Sequence, residues 1–335
     1  MKVLSLVKMA VMLAVMVLMQ EYAIRLAVPD FNPANHLQFT EHVSGLTFGR
    51  PGVSHRHIKN TGDFNVRVRF NELGLREDGR LQELGPKDFV VVGDSYGFGW
   101  GVDEKDRASE VLSSLTGRRF FNASTPAGAV SHYIRMIELL RSKRVPARRV
   151  LVAFSFETDF ILYDQERDLG SPSKPAAFNL QALKELLIRH SAAYFAATSL
   201  VQQTPWLRTP FESLGLIRPV DLVAKRKAPD ETLISQTLSR LKALAGMAET
   251  TVMVIPPRGL WTGNARSAMS AAYERFVRLA QAGSIDIVDL RPAFEATSHP
   301  LALHFEHDAH WRPEGHALAA KVVARHLADR YGNAF

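Results

Sequence analysis

The chain has 335 residues, of which 46% are hydrophobic and 22% are charged, a composition that indicates a globular protein with one large domain or two smaller ones. It has no cysteine, which excludes disulfides and thiolate metal sites. The net charge of +7 comes from small scattered groups of Lys and Arg rather than a continuous stripe with aromatic platforms, which argues against nucleic-acid binding and favours a surface facing anionic lipid or an acidic polymer.

Residues 1–28 are predicted to form a membrane anchor. The apolar stretch from Val3 to Met19 has 17 residues, which is the lower limit for a spanning helix. Lys2 and Lys8 lie at its amino-terminal side, so we expect the amino terminus inside the cytoplasm and the rest of the chain outside it. A cleaved signal peptide is the alternative, but no small-x-small cleavage site follows, and we favour the uncleaved anchor.

Residues 29–70 are predicted to form a connector and an edge strand. Residues 29–60 are rich in Pro, Asn, His and Gly and show no periodicity, which is typical of a connector lying over the surface. Residues 64–70 alternate between apolar and polar side chains, as a half-exposed strand does. The turn at residues 71–76 is interpreted as structural and leads into the main domain.

Residues 71–332 are predicted to form the main domain, in which strands and helices alternate. This alternation is typical of a three-layer αβα fold with a parallel sheet, here five-stranded and flavodoxin-like. The predicted strands are Asp88–Gly93, Arg119–Asn122, Arg149–Phe154, Thr251–Ile255 and Asp286–Leu290. The predicted helices are Lys105–Leu115, Val130–Lys143, Glu231–Ala245, Ala265–Ala282 and Pro313–Arg330.

Residues 160–230 interrupt the alternation. The segment contains prolines separated by helix-like pieces, such as Ala182–His190 and Ala193–Leu200. An insertion of this length after the third strand of the sheet is often a lid or a binding element, although it can equally be a surface excursion without a role.

A candidate nucleophile, Ser95, follows the first strand of the predicted sheet. The apolar residues 89–92 end at Gly93, and further glycines surround Ser95. Open α/β sheets bind their ligands at the carboxyl ends of strands, and the glycines leave the surface around the hydroxyl uncovered. The local pattern also fits the G-x-S-x-G elbow of α/β-hydrolases, but the serine follows the first strand of the sheet rather than a middle one, so the elbow is a weak signal.

The base and the orienting acid are expected near the carboxyl terminus. His310 is the predicted general base, and Asp308 is predicted to fix its tautomer and to stabilise the imidazolium. His307 is the competing base, because it adjoins Asp308. His304, His307, His310 and His316 also raise the question of a metal site, but no carboxylate set accompanies them, and no metal or other cofactor is predicted.

These blocks resemble the SGNH (GDSL-type) hydrolase family. The resemblance runs from Asn71 to about Leu327 and includes NELGLRED, GDSYGFGWGV, FNASTPAGAVSHY and DAHWRPEGHALAA. It implies an oxyanion hole formed by the backbone N–H of Ser95, the N–H of Gly128 and a third donor. The family has an Asn at this third position, within Gly-x-Asn-Asp, and here Thr158 precedes Asp159.

The Thr158 substitution is the largest departure from the family pattern, because a hydroxyl donates with a shorter reach than an amide. Asn122 is a weaker candidate for the missing donor, and Asp94, Asn122 and Asp159 are expected to support the site. Many family members space the acid and base as Asp-x-x-His, whereas this chain has Asp-x-His.

The resemblance implies a membrane-anchored, extracytoplasmic esterase or O-acyltransferase acting on acetyl esters of a carbohydrate or an exported polysaccharide. In the alginate-acetylation relatives the Asp-x-His block precedes the serine block, and here it follows, so the sequence does not place the chain in that branch. A catalytically weak, carbohydrate-binding scaffold in an export assembly is the alternative, favoured by Thr158. A lipase-like role on membrane lipids is a third hypothesis.

Overall fold

A computed structural model describes residues 2–41, 45–78, 83–126, 128–160, 180–217 and 227–332 of the chain. The chain divides into two compact units. The helical unit consists of Met1–Leu37, His55–Val66 and Ser173–Arg218. The sheet unit consists of Gln38–Ser54, Arg67–Pro172 and Pro219–Phe335.

The strands and helices are numbered here in chain order. The strands are β1 (Phe39–Glu41), β2 (Thr47–Gly49), β3 (Ser54–Ile58), β4 (Asn65–Arg69), β5 (Phe89–Gly93), β6 (Phe120–Asn122), β7 (Arg149–Ser155), β8 (Glu249–Ile255) and β9 (Ile287–Asp289). The α-helices are α1 (Lys2–Ala27), α2 (Ser95–Phe98), α3 (Ala108–Thr116), α4 (Val130–Ser142), α5 (Leu180–His190), α6 (Ala192–Gln203), α7 (Pro205–Ser213), α8 (Glu231–Met247), α9 (Arg266–Ala282), α10 (Arg291–Glu295) and α11 (Pro313–Tyr331).

The sheet unit is built on a five-stranded parallel sheet with the order β6-β5-β7-β8-β9. This is the flavodoxin-like order, in which the chain reverses its direction of travel across the sheet between β5 and β7. The predicted α/β fold with a five-stranded parallel sheet is confirmed, and each predicted strand of this sheet lies within two residues of an observed one.

Both faces of this sheet are buried, which explains why its strands are continuous apolar runs. Val90 and Val92 pack on one face, in a cluster that also takes side chains from α4, α8 and α9. Phe89 and Val91 pack on the other face, in a cluster with side chains from α3 and α11. The sheet therefore lies between two helical layers.

The connector expected at residues 29–60 is wrong in part, because the structure has short strands there. Three-residue β1 pairs antiparallel with three-residue β2, and Phe39 lies opposite Gly49. Strands of three residues are too short to show an alternating pattern, so they could not be predicted from the sequence. The ring of Phe39 packs edge-on against Phe70 and Phe98, with ring centroids 5.9 and 5.7 Å apart.

The helical unit contains α1, α5, α6 and α7. In α1, Leu4–Ala27 is long and apolar enough to cross a membrane. It includes an 18-residue stretch with a mean hydropathy of 1.8, none of which is buried inside the protein. The carboxylate of Glu21 accepts hydrogen bonds from Ala192 N at 2.8 Å, Ala193 N at 3.0 Å and Ser191 Oγ at 2.9 Å. Glu21 in α1 thus caps the amino terminus of α6.

The segment predicted as an insertion, residues 160–230, is described only in part. Its described residues form α5, α6 and α7, so the two helix-like pieces expected there are helical. Residues 161–179 and 218–226 lie outside the described residues.

Candidate active site

Ser95 is the first residue of α2, directly after β5 and Asp94. The Asp94 carboxylate accepts a hydrogen bond from Tyr96 N at 2.9 Å and so caps this short helix. A methyl group added at Gly97 would lie 2.4 Å from Ser124 Oγ, so only glycine lets α2 pack this closely. Gly99 ends the helix in the left-handed conformation, at φ 78°, which glycine adopts without strain.

Ser95, His310 and Asp308 form a hydrogen-bonded chain. His310 Nε2 lies 2.7 Å from Ser95 Oγ, although the two residues are 215 positions apart in sequence. His310 Nδ1 lies in hydrogen-bond contact with Asp308 Oδ1, which also accepts from the His310 backbone N at 3.1 Å. Because a carboxylate only accepts, Nδ1 carries the proton, and Nε2 accepts from the serine hydroxyl. This is the arrangement of a nucleophile, a base and an orienting acid.

Two aromatic side chains pack against the imidazole of His310. The rings of Tyr96 and Trp100 have centroids 5.0 and 5.5 Å from that of His310. Tyr96 also donates its hydroxyl to the carbonyl of Ala309 at 2.8 Å. Sequence reasoning missed Tyr96 as a site residue, although its position next to the candidate nucleophile could have marked it.

The loop that carries Asp308 and His310 is fixed at both of its ends. Arg258, which follows β8, donates to the carbonyl of Asp308 at 3.3 Å. At the start of α11, a methyl group on Gly315 would lie 2.8 Å from the carbonyl oxygen of Leu303. Gly315 therefore packs closely against this loop, at a place where a larger residue would not fit.

The other three histidines near the loop have different surroundings. His307 lies 3.8 Å from Glu306, and it is His310 that reaches Ser95. His304 and His316 are buried, and burial is the main cause that lowers the pKa of each imidazole to about 3, so both are neutral at pH 7. Among the described residues, no group of three or more His, Asp or Glu side chains could hold a metal ion.

Thr158 lies beside Asp94, where its single hydroxyl is already engaged. Its Oγ1 donates to Asp94 Oδ2 at 2.6 Å and also contacts Ser155 Oγ. Asp94 is 1% exposed, and burial raises the pKa of its carboxyl group. A hydroxyl has one proton to donate, so in this geometry the proton of Thr158 serves Asp94.

Asn122 and Asp159 are fully buried and form hydrogen bonds with neighbouring segments. Asn122 Nδ2 donates to the carbonyl of Gly97 at 2.7 Å and to Ser109 Oγ at 3.1 Å, so both of its amide protons are engaged. Asp159 accepts from Tyr133 Oη at 2.7 Å and from Ser155 N at 3.0 Å. Burial raises the pKa of Asp159 well above its ordinary value, and the negative charge of Asp94 adds to this rise.

Gly128 lies against the end of β5. A methyl group at Gly128 would lie 2.8 Å from the ring of Tyr133 and 3.3 Å from the carbonyl oxygen of Gly93. Gly128 is therefore next to the strand end from which Asp94 and Ser95 emerge, at a place where a larger residue would not fit.

Arg76, in the turn interpreted as structural, supports the segment after Ser95. It is 1% exposed, and it donates to the carbonyls of Phe98, Gly99 and Val102 at 3.3, 2.6 and 2.7 Å. Burial is the main cause that lowers its pKa to about 9, and the neighbouring charge of Arg107 contributes. Arg76 lies between Leu75 and acidic residues. Nothing in this local sequence distinguishes a buried arginine from an exposed one.

The parallel sheet and the Ser-His-Asp arrangement together define the class of an α/β serine hydrolase. Residues 221–334, about a third of the chain, match the family model described as "SGNH hydrolase-like domain, acetyltransferase AlgX". The expected SGNH membership and the expectation of a hydrolase-type enzyme are confirmed at this level. The matched segment contains Asp308 and His310 but not Ser95, so it does not bear on the order of the serine and Asp-x-His blocks.

Several solved structures resemble the chain at low identity. A member of the lipolytic protein G-D-S-L family from Veillonella parvula is 12% identical, over 71% of this chain and 96% of that one, with a TM-score of 0.44. The lipase/acylhydrolase from Enterococcus faecalis is 11% identical, over 72% and 96%, with a TM-score of 0.38. The acetylxylan esterase Axe2 from Geobacillus stearothermophilus, as a catalytic mutant, is 15% identical, over 72% and 93%, with a TM-score of 0.40.

Structural likenesses with TM-scores below 0.5 do not indicate a substrate or an activity for this chain. No curated protein sequence matches the chain.

Proposed function

We propose that this protein is a serine esterase or O-acyltransferase that acts on acyl esters, acetyl esters above all, of a carbohydrate or an exported polysaccharide. The observation that carries the proposal is the 2.7 Å contact between His310 Nε2 and Ser95 Oγ, with His310 Nδ1 held by Asp308. A serine hydroxyl is inert at its ordinary pKa, and this arrangement supplies the base that makes it a nucleophile.

In the first half-reaction, Ser95 Oγ attacks the ester carbonyl and its proton passes to His310 Nε2. The negative charge that develops on the carbonyl oxygen is stabilised by backbone N–H groups, for which we propose those of Ser95 and Gly128. When the carbonyl re-forms, the bond to the alcohol breaks, and His310 returns the proton to the departing alcohol oxygen. Asp308 stabilises the imidazolium between these two transfers.

In the second half-reaction, a hydroxyl attacks the acyl carbonyl while His310 takes its proton. The bond between the acyl carbon and Ser95 Oγ then breaks, and His310 returns the proton to Ser95 Oγ. Water as the attacking group makes the enzyme an esterase, and a sugar hydroxyl makes it a transferase. The match of residues 221–334 supports acetyl transfer, because that family model is defined on an acetyltransferase.

The proposed location is the cytoplasmic membrane, with the sheet unit on the extracytoplasmic side. The apolar span of α1 supports an anchor, and the lysines at its amino-terminal side support this orientation. The contacts of Glu21 with α6 favour an anchor that is retained over a signal peptide that is removed, because cleavage after α1 would take the cap away from α6.

A catalytically weak, carbohydrate-binding scaffold is the second candidate function, and one observation favours it. The Thr158 hydroxyl is directed at Asp94, so the position at which the family has its third oxyanion donor does not supply one in this geometry. Loss of one oxyanion donor costs about 3–4 kcal/mol of transition-state stabilisation, which would slow the enzyme without abolishing catalysis.

The test compares two neighbouring histidines in the full-length protein, with p-nitrophenyl acetate as substrate. His310→Ala and Asp308→Asn are expected to reduce turnover by about 10³-fold or more, because the serine loses its base or the base loses its orientation. His307→Ala, the matched control, is expected to keep turnover within about twofold. Ser95 is expected to react with a fluorophosphonate probe.

Turnover that survives in His310→Ala would exclude the triad mechanism. Absence of both turnover and labelling in the unmodified protein would favour the scaffold. A preference for long-chain p-nitrophenyl esters over the acetate would favour the lipase-like role instead.

A further inference from the structure

Exposed large apolar side chains concentrate in the helical unit. Among the described residues of the sheet unit, only Leu115 and Leu279 are large, apolar and exposed. Residues 180–217 contain seven such side chains in a much shorter segment. They are Leu186, Ile188, Leu200, Trp206, Phe211, Leu214 and Leu216. A concentration of this kind marks an interaction surface.

Helix α7 is amphipathic. At about 100° per residue, the apolar face of α7 covers an arc of about 140°. It contains Trp206, Leu207, Pro210, Phe211 and Leu214, the last of which continues the final turn of the helix. Leu214 N donates to the carbonyl of Pro210 at 3.1 Å, an α-helical hydrogen bond. The polar side chains, from Arg208, Thr209, Glu212 and Ser213, occupy the rest of the circumference.

Helix α7 is exposed on both of its faces: Thr209 and Ser213, on the polar face, are exposed, and Leu207, on the apolar face, is half-buried. Trp206 and Leu214, on the apolar face, are 73% and 72% exposed. Arg208, on the polar face, has a side chain that is only 15% exposed and donates to Glu212 at 2.7 Å. Part of the apolar face is therefore exposed, and in water this exposure costs free energy.

The position of α7 relative to α1 indicates what covers this face. The first turn of α6 is capped by Glu21, which lies near the carboxyl end of the apolar span of α1. Helix α6 has 12 residues and is thus about 18 Å long, and Thr204 alone separates it from α7. The start of α7 therefore lies within about 20 Å of Glu21.

We propose that the apolar face of α7 lies in the outer interfacial layer of the same bilayer that α1 spans, with Trp206, Phe211 and Leu214 at the boundary between headgroups and acyl chains. The inference rests on the anchoring role proposed above for α1, and it adds a second membrane contact. An amphipathic helix with tryptophan and leucine on one face and a charged opposite face has the composition of an interfacial helix.

A neighbouring cavity extends the same apolar surface. It has a volume of about 480 Å³, and its lining includes Ile188, Val201, Phe211 and Leu216. Contact of α7 with the bilayer would remove this opening from water together with the helix face.

The absence of cysteine in the sequence allows a direct test in the full-length protein. Single cysteines replace Trp206 or Leu214 on the apolar face, and each carries a nitroxide. Two controls carry the same label: Thr209→Cys, on the polar side of α7, and Leu279→Cys, an exposed apolar position in α9. The proteins are reconstituted into vesicles of phosphatidylethanolamine and phosphatidylglycerol, and collision rates with oxygen and with a nickel chelate are measured.

Oxygen partitions into lipid and the nickel chelate into water. The ratio of the two collision rates is expected to be about threefold higher at 206 and 214 than at 209 and 279, because an interfacial helix buries its apolar face about 5–10 Å into the headgroup and acyl boundary. Thermal unfolding of each labelled protein checks that it is folded.

Two results would overturn the proposal, and they differ from each other. If the protein floats with the vesicles but the labels at 206 and 214 remain as accessible to nickel as those at 209 and 279, α7 faces water. Its apolar face would then be a binding surface for a protein partner instead of lipid. If the protein does not float, α1 is not an anchor and the membrane contact of α7 fails with it. Neither result bears on the esterase activity, which the histidine variants test separately.

Discussion

The two units place their apolar residues in opposite ways. In the sheet unit, both faces of β5 are covered, and Val90 and Phe89 are buried on opposite sides of the sheet. In the helical unit, α1 and α7 direct much of their apolar surface outward. The sheet unit is thus stabilised from its own interior, and it can hold Ser95 and His310 at hydrogen-bond distance. The helical unit leaves much of the apolar surface of its described residues uncovered.

The largest expected effect separates two serines that each contact a residue far away in sequence. Ser95→Ala removes the nucleophile and is expected to lower kcat/KM by about 10³-fold or more with little change in thermal stability. Ser191→Ala removes a contact with Glu21 and the cap of α6, and is expected to cost about 1 kcal/mol of stability while kcat/KM stays within about twofold. Assays with p-nitrophenyl acetate and thermal unfolding measure both.

Equal loss of activity in the two serine variants would break the comparison, because the catalytic geometry would then depend on the helical unit as much as on the sheet unit.

The next effect is on the acid sensitivity of the sheet unit. His316 has a pKa of about 3 in the folded protein, below its unfolded value of about 6.5, so the unfolded chain binds the additional proton between these pH values. Its contribution to stability is therefore lost as the pH falls from about 6.5 toward 3, by up to about 1.4 kcal/mol per pH unit.

His316→Phe is expected to reduce this pH dependence and to be tolerated at pH 7, since neither ring nitrogen of His316 has a hydrogen-bond partner among the described residues. Urea unfolding between pH 4 and 7 measures the slope. A slope identical to that of the unmodified protein would show that His316 is not the group that titrates.

A smaller effect tests how closely the nucleophile helix is packed. Gly97→Ala would bring a methyl group within 2.4 Å of Ser124 Oγ, and it is expected to cost about 1–3 kcal/mol of stability and to lower kcat by moving Ser95. Gly246→Ala in α8 is the control, because its methyl group would meet no atom within 4 Å. The control is expected to be neutral or to stabilise by up to about 1 kcal/mol. Similar melting temperatures for both variants would refute the tight packing of α2.

The smallest effect concerns Thr158. Thr158→Val removes the donor to the buried Asp94 carboxylate and is expected to lower kcat by about tenfold, whereas Thr158→Ser keeps the hydroxyl and most of the activity. Steady-state kinetics with p-nitrophenyl acetate distinguish these outcomes. If Thr158→Asn, which restores the residue of the family, raises kcat above that of the unmodified protein, the position lacks an oxyanion donor, and our assignment of Thr158 to Asp94 is incomplete.

The sequence predicted most of the sheet unit, because the causes lie in local patterns. Buried parallel strands need continuous apolar runs, and β5, β7 and β8 have them. Ser95 was recognisable from the glycines around it, and His310 from its acidic neighbour Asp308. Each of these signals involves residues that are close together in sequence.

The contacts that the sequence did not predict join residues far apart. The hydrogen bond from Thr158 to Asp94 joins residues 64 positions apart, and the hydrogen bond from Ser191 to Glu21 joins residues 170 positions apart. No periodicity or motif at either end specifies such a partner, because the choice depends on which loops the fold brings together. The burial of Arg76 was missed for the same reason, since its three acceptors are carbonyls that any sequence provides.

The separation of the nucleophile from its base along the chain has a consequence for biosynthesis. Ser95 is translated 215 residues before His310, so the emerging polypeptide has a hydroxyl with nothing to activate it until the last loop and α11 are complete. A chain that stops short of Asp308 would be inert however well its sheet formed. If the proposed triad is correct, esterase activity would therefore arise only when the final tenth of the polypeptide has been made.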